Sequence, residues 1–126
     1  MDRDNLDAFG RFIVANLRDK SLEQFEMLRS GQLRGLQMKD VQRHFAELSE
    51  DQRQLVKEIV VDVIDTALHD LLFALQDAHD REGTIEICIN GVNVAKLSGM
   101  LHGEIQGTDG WIARFSRFPP QQQRGV

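Results

Sequence analysis

Cysteine is nearly absent from this chain. Cys88 stands alone among 126 residues, so no internal disulfide can form, and a reducing compartment is expected. No apolar run approaches the roughly 18 residues of a membrane-spanning helix. The opening Met1-Asp2-Arg3-Asp4 lacks the basic start of a signal peptide, and no apolar segment follows it. These observations predict a cytoplasmic protein without a membrane partner. A basic stripe is missing as well. The net charge is −5, and the sequence carries no electrostatic footprint for nucleic acid.

Signatures of chemistry are equally scarce. Gly91, Gly99, Gly103, Gly107 and Gly110 fit no phosphate-binding pattern, and no helix is expected after them. There is no HExxH motif, no nucleophile elbow and no cysteine-protease signature. No internal repeat recurs at a solenoid period. The sequence therefore points to no catalytic residues, no metal and no cofactor.

What the sequence does contain is a long helix, from about residue 50 to 80. Ser49 can accept from the amide of Gln52, whose side chain can reach back to Ser49: a capping box. Glu50 and Asp51 suit the positive end of the helix dipole, Arg81 suits the negative end, and Gly83 can turn left-handed as a stop. Val56, Ile59, Val60, Val63, Ile64, Ala67, Leu68, Leu71, Leu75 and Ala78 recur at helical spacing and are expected to face neighbours over a wide arc. The remaining stripe is polar, with Asp62, Asp65 and His69 among it, and Leu55 and Phe73 interrupt it. The acidity of the chain sits here, with nine acidic and three basic residues in 49–82.

Before this helix the spacing predicts three shorter ones. The first runs from Asp4 to Asp19 with Leu6, Phe9, Ile13 and Leu17 inward, and Gly10 inside it marks a close approach. The second begins at a capping box on Ser21, buries Leu22, Phe25 and Leu28, and stops at Gly31. A loop follows over 31–38, pinned by Leu33, Leu36 and Met38. Asp40 then caps a short helix from Val41 to Leu48 with Val41, Phe45 and Leu48 inward.

After Gly83 the period changes to two, which predicts a strand over 84–90. Asn90-Gly91 reads as a type I′ hairpin turn, pairing Ile89 with Val92, Ile87 with Val94 and Ile85 with Lys96. A third strand is expected over 101–106 and a fourth over 111–116. The loop Thr108-Asp109-Gly110 is expected to put Gly110 in a left-handed bulge, Trp111 beside Ile105 in the core, and Glu104 opposite Arg114. The fold class is thus α+β: N-terminal helices and one long helix packed on a C-terminal four-stranded antiparallel meander. One domain spans 1–118, followed by a flexible tail over 119–126.

Function is expected from surfaces. The first expectation is a small cytoplasmic, non-catalytic interaction or regulatory protein of bacterial type. It would be an adaptor or immunity-type protein binding a protein partner through the acidic helix face. Leu55, Asp62, Asp65, His69, Phe73, His102, Glu104 and Arg114 are the candidate contact residues. Leu55 and Phe73 lie five helical turns apart on one stripe, which suggests a weak antiparallel homodimer about Ile64. The alternative is a small enzyme or ligand carrier using Asp62, Asp65 and His69, or an outer sheet face with Cys88, His102, Glu104 and Arg114.

Overall fold

Helical structure runs without interruption through Asp2–Ile13 (α1), a π-helical turn Val14–Asp19, and Lys20–Arg29 (α2) in the computed structural model, which describes residues 2–121. Ser21 therefore lies inside a helix, and the expected second capping box does not form. The π turn explains the continuity. The buried stripe of α1 is Leu6, Phe9 and Ile13, whereas the later one is Val14, Arg18, Leu22 and Phe25. The two stripes are one residue out of step. The wider π turn absorbs that extra residue and keeps both on the inside.

The first long segment ends where the sequence marks it, at Gly31, with φ 76°. The amide of Gln32 donates to the Met27 carbonyl and that of Gly31 to Leu28. The next helix, α3 (Leu36–Glu47), begins five residues earlier than expected. Gln42 is the reason in hydrogen bonds: its side chain accepts from the Leu33 amide and donates to the Leu33 carbonyl, tying the preceding loop to the helix. Asp40 is inside α3 and pairs with Arg43 instead of capping. Phe45 is buried edge-on against Phe25, with centroids 5.9 Å apart, whereas Val41 and Leu36 are exposed.

The long helix α4 (Glu50–Arg81) has 32 residues and the capping box read from the sequence. The Gln52 amide donates to Ser49 Oγ at 3.2 Å, and the Ser49 amide donates to Gln52 Oε1 at 2.9 Å. Gly83 turns at φ 62°, and its amide and that of Glu82 both donate to the Ala78 carbonyl. Its buried side is narrower than the apolar spacing suggested: Val61, Leu68, Leu72 and Gln76. Ile59, Val63, Ala67 and Leu71 are exposed.

The four-stranded meander is corrected. The structure is 71% helical, and the described residues hold a two-stranded hairpin and no larger sheet. Strand β1 (Cys88–Ile89) pairs antiparallel with β2 (Val92–Asn93), Ile89 opposite Val92. Asn90 and Gly91 both have positive φ, 51° and 80°, as a type I′ turn requires. The Val94 amide still reaches the Ile87 carbonyl, but pairing stops there. Asn93 ends it. Its side chain accepts from the amides of Ala95 and Lys96 and caps a short helix, α5 (Val94–Ser98). The expected third strand is a 3-10 turn, Leu101–Glu104, and the fourth is a helix, α6 (Trp111–Phe115).

These short elements stack on α1 and α4. Leu6, Phe9, Ile13 and Val14 meet Leu68 and Leu72 from α4, and Val94, Leu101, Ile105, Trp111 and Ile112 from the C-terminal third. Trp111 and Ile105 are both fully buried, as expected, although no strand carries either. Gly110 does not form a left-handed bulge. Its φ is −73°, and Gly107 takes the positive value instead. Gly110 needs to be glycine for a different reason: a β-carbon there would run into the Gln106 carbonyl oxygen.

Candidate functional site

The expected contact residues do not assemble into one site, because the C-terminal turns dock on the polar side of α4. Asp65 accepts from Arg18 Nε at 2.7 Å and Nη2 at 3.4 Å. Arg18 is completely buried, and the rest of its guanidinium is also satisfied. Nη1 donates to Ser116 Oγ and the Phe118 carbonyl, and Nη2 to the Pro119 carbonyl. All five donors of the arginine are thereby used. Asp19 next to it accepts from the hydroxyl of Ser116 and from the amide of Arg117. This pair straps the segment 116–119 across α2 and α4, beside a cleft of about 210 Å³ whose walls include Leu22, Phe25 and Val61. The expected tail thus begins in contact with the helices at Pro119, and 122–126 lie outside the described residues.

Neither Arg18 nor Asp19 was singled out by the sequence. Arg18 meets Asp65 and Ser116 across separations of 47 and 98 residues, so no local spacing announces the contact. The mismatch between the two stripes of the first segment was the available signal.

His69 and Phe73 meet over the 3-10 turn. The His102 ring stands edge-on to His69, with centroids 5.2 Å apart, and to Phe73 at 5.0 Å. His102 Nδ1 is buried and has no hydrogen-bond partner among the described residues, and His69 Nδ1 lies 3.2 Å from Asp70 Oδ1. Phe73 thus has an intrachain neighbour while remaining 50% exposed. The outer sheet face proposed for Cys88, His102, Glu104 and Arg114 does not exist. Glu104 accepts from Arg3 and Ser98, Cys88 is an exposed free thiol on β1, and Arg114 pairs with Asp7 through both terminal nitrogens. The Arg114 hydrogen bond is the main reason the Asp7 carboxyl sits below the usual aspartate range, against a smaller opposing effect of burial. Asp7 in turn raises Arg114.

Asp62 is exposed, as is the expected contact residue Leu55, beside Ile59 and Val63, which the spacing had turned inward. Leu55, Ile59 and Val63 follow one another at four-residue steps, 48%, 53% and 60% exposed. Ala67 and Leu71 continue the row. Leu55, Ile59 and Val63 lie on the side of α4 away from Val61, Leu68 and Leu72, because successive residues of a helix turn by about 100°, while the row winds on so that Leu71 comes within about 60° of Leu68. The result is a built, apolar and acid-flanked face on a rigid helix.

Among the described residues, no group of three or more histidine, cysteine or acidic side chains is placed to hold a metal. None of the described helices is long and apolar enough to cross a membrane. Comparison with protein-family models, with curated proteins and with solved structures finds no match to this chain.

Proposed function

We propose that this is a non-catalytic interaction protein whose contact surface is the outer face of α4. One observation carries the reading: Leu55, Ile59 and Val63 form an exposed apolar row on the longest helix, with the acidic Glu58 and Asp62 alongside. Scattered single apolar residues are ordinary on a protein surface, whereas a contiguous patch with a polar rim marks a contact. Helix faces of this kind dock through anchors at regular helical spacing. The exposed thiol of Cys88 suits a reducing compartment, so the cytoplasm belongs to the same proposal.

A photoreactive residue in place of Val63 tests it in the producing cell, with the same probe at exposed Gln24 as the control. The expected result is a discrete cross-linked protein from position 63, lost when Ile59→Asp is added. Equal labelling from both positions, or labelling indifferent to Ile59→Asp, contradicts the reading.

A second reading has one specific observation behind it. The unpartnered Nδ1 of His102, next to His69 and Phe73, offers a small polar point for a ligand. A shift of the His102 nitrogen resonances on adding a ligand pool, absent in His69→Ala, would favour it over the interaction reading.

A further inference from the structure

We propose that the partner of the outer α4 face is a basic, amphipathic segment of another protein. Its apolar side covers Leu55, Ile59 and Val63, and its lysines or arginines meet Asp51, Asp62 and Asp70. The inference rests on the interaction reading and names the chemistry of the partner.

The apolar row sets the place. Leu55, Ile59 and Val63 occupy an arc of about 80° and a length of about 12 Å. All three stand about half exposed on one rigid helix.

Charge selects the partner. Around the helix, Asp51 and Asp62 lie within about 40° of Leu55, and Asp70 lies within about 20° of Val63. Along it, Asp51 precedes the row, Asp62 stands beside it and Asp70 follows it. All three aspartates are exposed. Asp51 and Asp62 have no ion pair among the described residues, and Asp70 has the ring of its neighbour His69 at 3.2 Å. The two basic residues of this stretch turn elsewhere. Arg53 donates to the carbonyls of Ala46 and Leu48 and to Glu50, and Lys57 lines the Arg18 cleft. The complement of an apolar centre with an acidic rim is an apolar centre with a basic rim.

The same rim excludes other occupants. It repels nucleic acid and anionic lipid headgroups, and helices that lie on membranes carry lysine and arginine on their polar side. A second copy of this chain would bring the same aspartates.

Asp51 and Asp62 also set a spacing. They share one flank, separated by about three turns or about 16 Å. A helical partner meets both with basic residues about three turns apart. The apolar anchor is small, so the contact belongs to the weak, transient class. Rim charges of this kind speed encounter, and salt screens them.

A photoreactive residue in place of Val63, followed by sequencing of the segment it joins in the producing cell, tests this. The expected segment carries a net positive charge. Synthesised as a peptide, it binds the full chain more weakly as salt is raised. Asp51→Asn with Asp62→Asn lowers its affinity by about tenfold, or 1.4 kcal/mol. Glu82→Gln with Glu86→Gln removes the same charge away from the row and changes affinity far less. Circular dichroism verifies that each variant is folded. A neutral or acidic segment, or a segment of this chain itself, overturns the basic partner and leaves the interaction reading standing. So does binding that is indifferent to salt, or that falls no further in the aspartate pair than in the glutamate pair. Labelling of lipid alone, or no adduct at all, ends both.

Discussion

The indole of Trp111 lies directly on the backbone of Gly10, so that a β-carbon placed on Gly10 would fall 2.5 Å from Trp111 Cε2. Phe9 completes the contact, its ring edge-on to Trp111 at 5.9 Å. Two effects oppose each other in Gly10→Ala. Alanine is the better helix former by about 1 kcal/mol. The overpacking cost of about 1–3 kcal/mol wins, because the ring is wholly buried and has nowhere to move. Denaturant unfolding is expected to show a net loss of stability. A gain would mean that Trp111 does not sit on this helix.

The Arg18 strap gives a second expectation. Asp65→Ala leaves a fully buried guanidinium without its counter-ion and is expected to cost about 3 kcal/mol, the lower end of the range for broken buried pairs. Asp65 is itself 19% exposed, which lets water compensate in part. Asp62→Ala, on the exposed side, stays within about 0.5 kcal/mol. Equal effects of the two substitutions in urea titration would deny the strap any structural weight.

Acid stability should depend on Asp7. Its folded carboxyl is held below its unfolded value of about 3.9 by Arg114. A depressed acid stabilises the fold above the unfolded pKa, and that contribution disappears as pH falls through the folded value. Asp7→Asn is therefore expected to be less stable than the parent at pH 7, with the difference closing below about pH 4. A difference constant from pH 7 to pH 2 would point to hydrogen-bond geometry and not charge.

Gly110→Ala is expected to destabilise, though not through a strained left-handed backbone. The new methyl would meet the Gln106 carbonyl, while Gly107→Ala would suffer from a φ of +91° with open space around it. Both lose stability, and the loss at Gly107 is about 1 kcal/mol, the cost of forcing a side chain into that region. Thermal melting of the two variants separates steric from conformational cost if a larger residue at 107 costs no more than alanine and a larger residue at 110 costs more.

Local signals were readable in the sequence where they were self-contained. Ser49 and Gln52 cap α4 within three residues of each other, and Asn90-Gly91 makes its turn alone. The strands after them were misread because period-two spacing at Ile85, Ile87 and Ile89 outweighed a nearby competitor. Asn93 caps a helix that ends at Gly99, φ 73°, a start and stop that were both present in the letters. The buried side of α4 could not be read from spacing. Its apolar arc exceeds half the helix, and the docking of polar Gln76 decides which part turns inward. Gln76 donates to the Ala95 carbonyl and accepts from the Leu101 amide, 19 and 25 residues away. The candidate surface followed the same error in part: Leu55 and Asp62 were named as contact residues, but Ile59, Val63, Ala67 and Leu71 were assigned to the core.

Methyl-labelled nuclear magnetic resonance tests the central claim most directly. With labelled protein held dilute, extract of the producing cell is added. The account predicts that the methyl signals of Ile59, Val63 and Leu71 shift or broaden, while those of Leu22, Val61 and Ile85 do not move. Perturbation centred on Leu22 and Val61 at the Arg18 cleft, or on Ile85, with Ile59 and Val63 unchanged, would contradict the assignment of function to the outer face of α4.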